Sequence, residues 1–201
     1  MQPAITCILL GFYCWTAAAN DPTIVPTMSA ASTSWSVESM DLLGYVKNGY
    51  LNGPHGSIAV DTNRSLVFIT SLYGSYSVAA VSYKDSSNPQ VIGNLTFIDK
   101  DASWPDYPGL YGATYDELHK IVIVGGYTRN ILAVVSAKDP KNLELLGTVY
   151  SEEYLADLRA TCVNASGSVA YAVASESNSL AIVSYYNAST PLLLGGLEND
   201  P

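Results

Sequence analysis

An apolar pair followed by glycine recurs along this chain, and the spacing constrains the fold more than any other feature. The triplets are Leu42-Leu43-Gly44, Val91-Ile92-Gly93, Leu145-Leu146-Gly147 and Leu193-Leu194-Gly195, so the glycines stand 49, 54 and 48 residues apart. Eleven residues before each of the last three lies a serine that closes an apolar run: Val78-Ala79-Ala80-Val81-Ser82, Leu132-Ala133-Val134-Val135-Ser136 and Leu180-Ala181-Ile182-Val183-Ser184. A polar turn residue (Asp61, Asp116 or Asn164) follows the preceding glycine by 17, 23 and 17 residues. A period of this length signals one supersecondary unit stacked on copies of itself, because a single unit cannot bury its own apolar face.

Each unit divides into four short β-branched and aromatic runs separated by turn residues. The spacing predicts strands over 56–61, 66–72, 77–84 and 90–95, then 110–115, 120–127, 130–137 and 143–150, then 158–163, 169–175, 179–186 and 192–197. Six extra residues in the middle unit fall at 99–106, and a helical turn is expected at 151–155. An unmatched strand at 38–46 corresponds to the last strand of a preceding unit. Charged residues make up only 13% of the chain, and many strands are apolar without alternation, as when both faces of a sheet are covered. Four antiparallel strands per unit, repeated in tandem, predict an all-β, β-propeller-like fold with blades at 47–95, 96–149 and 150–197, within a region 37–201. One strand and three blades are fewer than the four to eight that close a ring. Three explanations follow: a fragment of a longer propeller without autonomous function, self-association through open blade edges, or an open array.

The stretch Ala80-Val81-Ser82-Tyr83-Lys84-Asp85-Ser86-Ser87-Asn88-Pro89-Gln90-Val91-Ile92-Gly93 resembles the LVIVD-repeat family of β-propeller proteins. A weaker copy spans Ile182 to Gly195, and the resemblance covers about residues 37–197. Where that family has an Asp at the end of the third strand, this chain has Ser82, Ser136 and Ser184, whose hydroxyls can still bond a turn amide. The segment Gly53-Pro54-His55-Gly56-Ser57-Ile58-Ala59-Val60-Asp61 is similar to the blade start of lactonase-like propellers. That similarity implies, as an alternative, a hydrolase with a site at the channel mouth near His55.

Residues 1–19 carry an uncharged apolar centre and end in Ala17-Ala18-Ala19, which predicts a cleavable signal peptide and no membrane span in the mature chain. Residues 20–36, rich in Pro, Ser and Thr, read as an extended leader. Sequons at Asn63, Asn94, Asn164 and Asn187 become glycosylation candidates in a secreted or cell-surface protein. Cys162 remains in the mature chain, with no disulfide framework, and is expected to be a buried small hydrophobe. The net charge of −9, with nine scattered basic residues, excludes a nucleic-acid partner.

His55 is expected at the start of an innermost strand, yet the equivalent Leu110 and Leu158 supply no second ligand. His119 falls on a hairpin tip, so the two histidines make no metal site. The inserted loop offers Trp104, Tyr107 and Tyr111, whose rigid rings suit a sugar or peptide. No nucleophile elbow, phosphate loop or dinucleotide fingerprint occurs, and no cofactor is implied. The reading is a non-catalytic module that binds a protein or glycan through loops.

Overall fold

The eleven-residue offset between serine and glycine is a hairpin with a bulge at a fixed place. In each unit the third and fourth strands pair up to Ser82–Gln90, Ser136–Glu144 or Ser184–Leu192, and the register shifts once. Val81 pairs with Val91 but Ala80 with Gly93, leaving Ile92 as the extra residue; Leu146 and Leu194 are skipped in the same way. A bulge here bends the outer strand and brings the glycine round to face the next blade.

The computed structural model describes residues 43–51, 54–71, 77–97, 109–127 and 130–198, apart from the side chains of 50 and 55–57. The chain divides into two units, Met1–Met40 and Asp41–Pro201, and every described residue belongs to the second. The expected signal peptide, the leader and the inserted segment at 99–106 lie outside the described residues. Three four-stranded antiparallel sheets follow one another in strict up-and-down order. Blade 1 comprises β1 (Pro54–Asp61), β2 (Leu66–Ser71), β3 (Ser77–Ser82) and β4 (Gln90–Thr96). Blade 2 has β5 (Leu110–Asp116), β6 (Ile121–Gly126), β7 (Ile131–Ser136) and β8 (Glu144–Tyr150). Blade 3 has β9 (Leu158–Asn164), β10 (Val169–Ala174), β11 (Ser179–Ser184) and β12 (Leu192–Glu198). A single helical turn, α1 (Glu152–Leu155), joins the last two blades and is capped by the Ser151 side chain, which accepts the Tyr154 amide.

Burial explains the apolar runs. Blade 2 is the only described blade with a blade on each side, and every residue of β6 is buried. Val122, Val124, Ala133 and Val135 face Phe68, Val78 and Ala80 of blade 1. Ile121, Ile123, Leu132 and Val134 face Leu158, Ala170, Ala181 and Val183 of blade 3. Among the described residues a neighbouring blade covers one face of blade 3, and β10 and β11 alternate between buried and accessible positions. Every first hairpin turns on the predicted polar residue. The side chains of Asp61, Asp116 and Asn164 accept the amides of Arg64, His119 and Gly167 at 3.1, 3.1 and 3.3 Å. Ser65, Lys120 and Ser168 then adopt left-handed φ of 55°, 56° and 50° to enter the second strand.

The repeated glycines are where blades interlock. Each third-to-fourth-strand turn is an Asx turn: Asp85 accepts the Ser87 amide, Asp139 that of Lys141 and Asn187 that of Ser189. Each turn presents its carbonyls to the glycine before it. A β-carbon on Gly93 would lie 2.2 Å from the Pro140 oxygen, and one on Gly147 would lie 2.7 Å from the oxygens of Ala188 and Ser189. Gly44 meets Ser86 and Ser87 at 2.5 and 2.8 Å, whereas a β-carbon on Gly195 would meet nothing within 4 Å.

Two expectations need correction. Residues 43–46, the described part of the strand expected at 38–46, form no strand. Gly44 still occupies the outer-strand position against blade 1, but no described strand lies beside it to supply ladder bonds. Cys162, expected to be buried, is exposed. It pairs with Tyr171 and so points to the face of blade 3 away from blade 2, which no described blade covers. Elsewhere the Ser-for-Asp replacement behaves as anticipated, since Ser82 and Ser184 each accept an amide, from Lys84 and Tyr186, at 3.4 Å.

The interlock predicts that Gly147→Ala destabilises the protein by about 2 kcal/mol, because backbone oxygens must move aside. Gly49→Ala, where a β-carbon meets nothing, should stay within about 0.5 kcal/mol of the parent. Urea unfolding of the two variants checks both.

Candidate functional site

The up-and-down topology gathers the starts of β5 and β9 and the ends of β6 and β10 at one end of the sheets. Tyr111 and Arg159 hold the same place in successive units, each five residues before the turn residue (Asp116 and Asn164). Tyr127 follows β6 and is fixed by a 2.5 Å bond from its amide to the Gly109 carbonyl. The Tyr111 and Tyr127 rings stack at 6.0 Å with 28° between planes. The Arg159 guanidinium carbon lies 5.1 Å from the Tyr111 centroid and 4.9 Å from that of Tyr127. This geometry gives cation–π attraction to both rings.

Asp157 orients the arginine. Its Oδ2 accepts Arg159 Nη2 at 2.5 Å and Nε at 3.1 Å, and also the Ser175 hydroxyl. Arg159 Nε reaches Ser175 Oγ at 3.0 Å as well. The bond from Asp157 holds the guanidinium pKa above its already high ordinary value, so the site is cationic under all ordinary conditions. Asp157 adopts a left-handed φ of 58°, and its Oδ1 is buried without a hydrogen-bond partner among the described residues. The arrangement is a rigid aromatic surface with a fixed, partly exposed cation in its middle. Such a surface can stack on a sugar ring or peptide and attract an acidic group.

A second constellation at the opposite end of the sheets joins the blades. Asp116 is buried, and its Oδ2 accepts the Tyr185 hydroxyl of blade 3 at 2.7 Å and contacts His119 Nδ1 at 2.7 Å. Asp61 is also buried and pairs with Arg64, whose Nη2 donates to Tyr115 Oη of blade 2 at 2.8 Å. Arg64 Nη1 also donates to the Ala137 carbonyl at 2.8 Å. Burial alone would raise both carboxyl pKa values. The bonds from Tyr185 and His119 to Asp116, and from Arg64 and Tyr115 to Asp61, outweigh it and hold both below the ordinary range. Tyr185 and Tyr115 are pushed up, first by burial and then by the carboxylate each faces.

Of the expected site residues, Tyr111 is in this aromatic cluster, while Trp104 and Tyr107 lie outside the described residues. His55 falls within β1, but its side chain is not described. Leu110 and Leu158, at its equivalent positions, are fully buried. Among the described residues, no three His, Cys, Asp or Glu side chains gather to hold a metal ion, and no helix is long and apolar enough to cross a membrane. Asn63, Asn164 and Asn187 are exposed, and Asn94 is half-buried in β4. Sequence reasoning passed over Tyr127, Asp157 and Arg159. Placing Arg159 against Tyr111 by repeat position would have drawn attention to it.

No protein-family model matches the sequence, and no curated protein sequence is similar to it. Solved structures do match in fold. A protein from Lactobacillus plantarum is 16% identical with a TM-score of 0.59, the match covering 74% of this chain and 43% of that one. Sqt1 from Saccharomyces cerevisiae is 10% identical with a TM-score of 0.55, covering 75% and 36%. A putative 6-phosphogluconolactonase from Bacteroides uniformis is 14% identical with a TM-score of 0.53, covering 70% and 42%. The fold is therefore all-β, with three blades like those of propellers, and the chain spans less than half the length of the structures it matches.

Tyr185→Phe should destabilise the protein by about 1–2 kcal/mol, because a buried carboxylate loses a hydrogen-bond donor. A carboxyl with a lowered folded pKa stabilises above the unfolded pKa, and that contribution is lost as pH falls through the folded value. Losing the Tyr185 bond lifts the folded pKa of Asp116, so acid unfolding should begin at higher pH than in the parent. Far-ultraviolet circular dichroism from pH 7 to pH 2 measures the shift.

Proposed function

We propose that this chain is a secreted or cell-surface binding module of the LVIVD-like propeller type, without catalysis, that takes a protein or glycan ligand on the sheet end carrying Tyr111, Tyr127 and Arg159. The observation that carries the reading is the arginine held over two stacked tyrosines, next to where the inserted segment enters β5. Two rigid rings and a pre-oriented guanidinium lose little entropy on binding, which is the property of a recognition hot spot. The alternative of a lactonase-like hydrolase near His55 rests on the sequence similarity of residues 53–61. The likeness to the Bacteroides uniformis structure at 14% identity bears on the fold alone.

The test is binding to a panel of neutral and acidic oligosaccharides and to a displayed peptide library. Tyr127→Ala and Arg159→Ala should each weaken the best binder about tenfold, equivalent to about 1.4 kcal/mol. Equal binding by parent and both variants would remove this surface from the function.

A further inference from the structure

Two Asx turns of blade 3 differ from their counterparts in a single side-chain atom, and the fold leaves that atom unused. The first hairpins turn on Asp61, Asp116 and Asn164, and the third-to-fourth-strand turns on Asp85, Asp139 and Asn187. In each of them Oδ1 accepts a backbone amide, which a carboxylate does as well as a carboxamide. Blade 3 alone has asparagine at both places. Asn164 Oδ1 accepts the Gly167 amide at 3.3 Å and the Ser166 hydroxyl at 2.8 Å. Asn187 Oδ1 accepts the Ser189 amide at 3.4 Å and the Ser189 hydroxyl at 2.8 Å. Both residues are exposed, and neither Nδ2 donates a bond among the described residues. What asparagine adds to these turns is therefore a free, solvent-facing amide nitrogen, each time with a serine two residues on.

We propose that Asn164 and Asn187 carry N-linked glycans in the folded protein and that Asn63 and Asn94 do not; the inference rests on the secreted or cell-surface reading above. The transfer joins Nδ2 to the anomeric carbon of a lipid-linked glycosyl diphosphate. The anomeric C–O bond breaks, the lipid diphosphate leaves with the electron pair, and Nδ2 gives up one proton to a base of the transferase. The product keeps its amide oxygen, so both turns of blade 3 retain every bond they now make. The other two sequons use the nitrogen instead. Asn63 Nδ2 donates to Glu117 across the junction between blades 1 and 2. Asn94 is half-buried within β4, where it pairs with Ala79, and its Nδ2 reaches Thr96 Oγ1 at 3.4 Å. A glycan on either would crowd an atom that the fold already engages. Molecules carrying one there fold poorly and are removed before they leave the cell.

The two sites are neighbours. The Tyr185 amide bonds the Ser168 carbonyl at 2.8 Å, which sets the two turns of blade 3 side by side. Asn164 closes β9, whereas Arg159 lies near its start, so the glycans stand at the sheet end away from Tyr111, Tyr127 and Arg159. That end stays free for a ligand.

The experiment expresses the full chain behind an added secretion signal in mammalian cells, so the outcome does not depend on residues 1–19. Folded, secreted protein is treated with peptide-N-glycosidase in heavy-oxygen water, which turns each glycan-bearing asparagine into labelled aspartate, and mass spectrometry reads every sequon. Label is expected in most molecules at Asn164 and Asn187 and in few at Asn63 and Asn94. Either of the first two left bare overturns the proposal, as does label at Asn63 or Asn94 to the same extent. Asn164→Asp and Asn187→Asp keep the accepting oxygen. Each should lose one glycan and, as unglycosylated protein, keep the parent's unfolding midpoint. Asn164→Ala should lower that midpoint by about 2–4 °C, the effect of a lost cap in a chain of this size. An Asn164→Asp variant as unstable as Asn164→Ala would show that Nδ2 is needed for the turn and would overturn the assignment. The same digestion of protein from its native cells tests secretion separately: a chain bare there but labelled after redirection refutes the secreted reading and leaves both sites standing.

Discussion

Everything in this fold depends on backbone meeting backbone between neighbouring blades. The Asx turn before each outer strand projects two carbonyls, and only a residue without a β-carbon can be seated on them. Gly93 on Pro140 and Gly147 on Ala188 and Ser189 set the distance between sheets. Once that distance is fixed, alternating rows of Val, Ile and Ala from blade 2 fill the space on both sides at close-packed density. A bulge one residue before each glycine turns the outer strand to reach the contact. The turn, the bulge, the glycine and the core are one mechanism, used at both described junctions.

The polar junctions follow the same geometry. Each of the two described junctions holds a buried first-hairpin carboxylate: Asp116 accepts the Tyr185 hydroxyl of blade 3, and Asp61 is held by Arg64 of its own blade, which reaches across to Tyr115 of blade 2. The last described blade carries the uncharged Asn164 at that position. The opposite ends of the sheets lack this constraint, and there side chains meet solvent. Arg159 and the two tyrosines can cluster at that end because the interlocking turns and first hairpins all lie at the other.

The strands themselves were legible in the sequence almost residue by residue. Asp61, Asp116 and Asn164 declared the first hairpins because an Asx side chain is the cheapest way to bond the amide three residues on. The glycine spacing declared the blades because no other residue fits the contact. Arg159 was not legible in the same way. A lone arginine near a strand start carries no periodic signal, and its meaning depends on Tyr111 and Tyr127, which are distant in sequence.

What the sequence by itself determined is therefore the all-β repeat: four strands per unit, the turns between them and the glycine at a fixed offset, since each follows from local sterics and side-chain-to-backbone bonding. What only the tertiary structure decided is which faces are covered. Cys162 and the residues of β6 read alike as apolar strand, yet one is exposed and the others are buried. Burial in a stacked array is set by the presence of a neighbouring sheet, and no strand carries that information within itself.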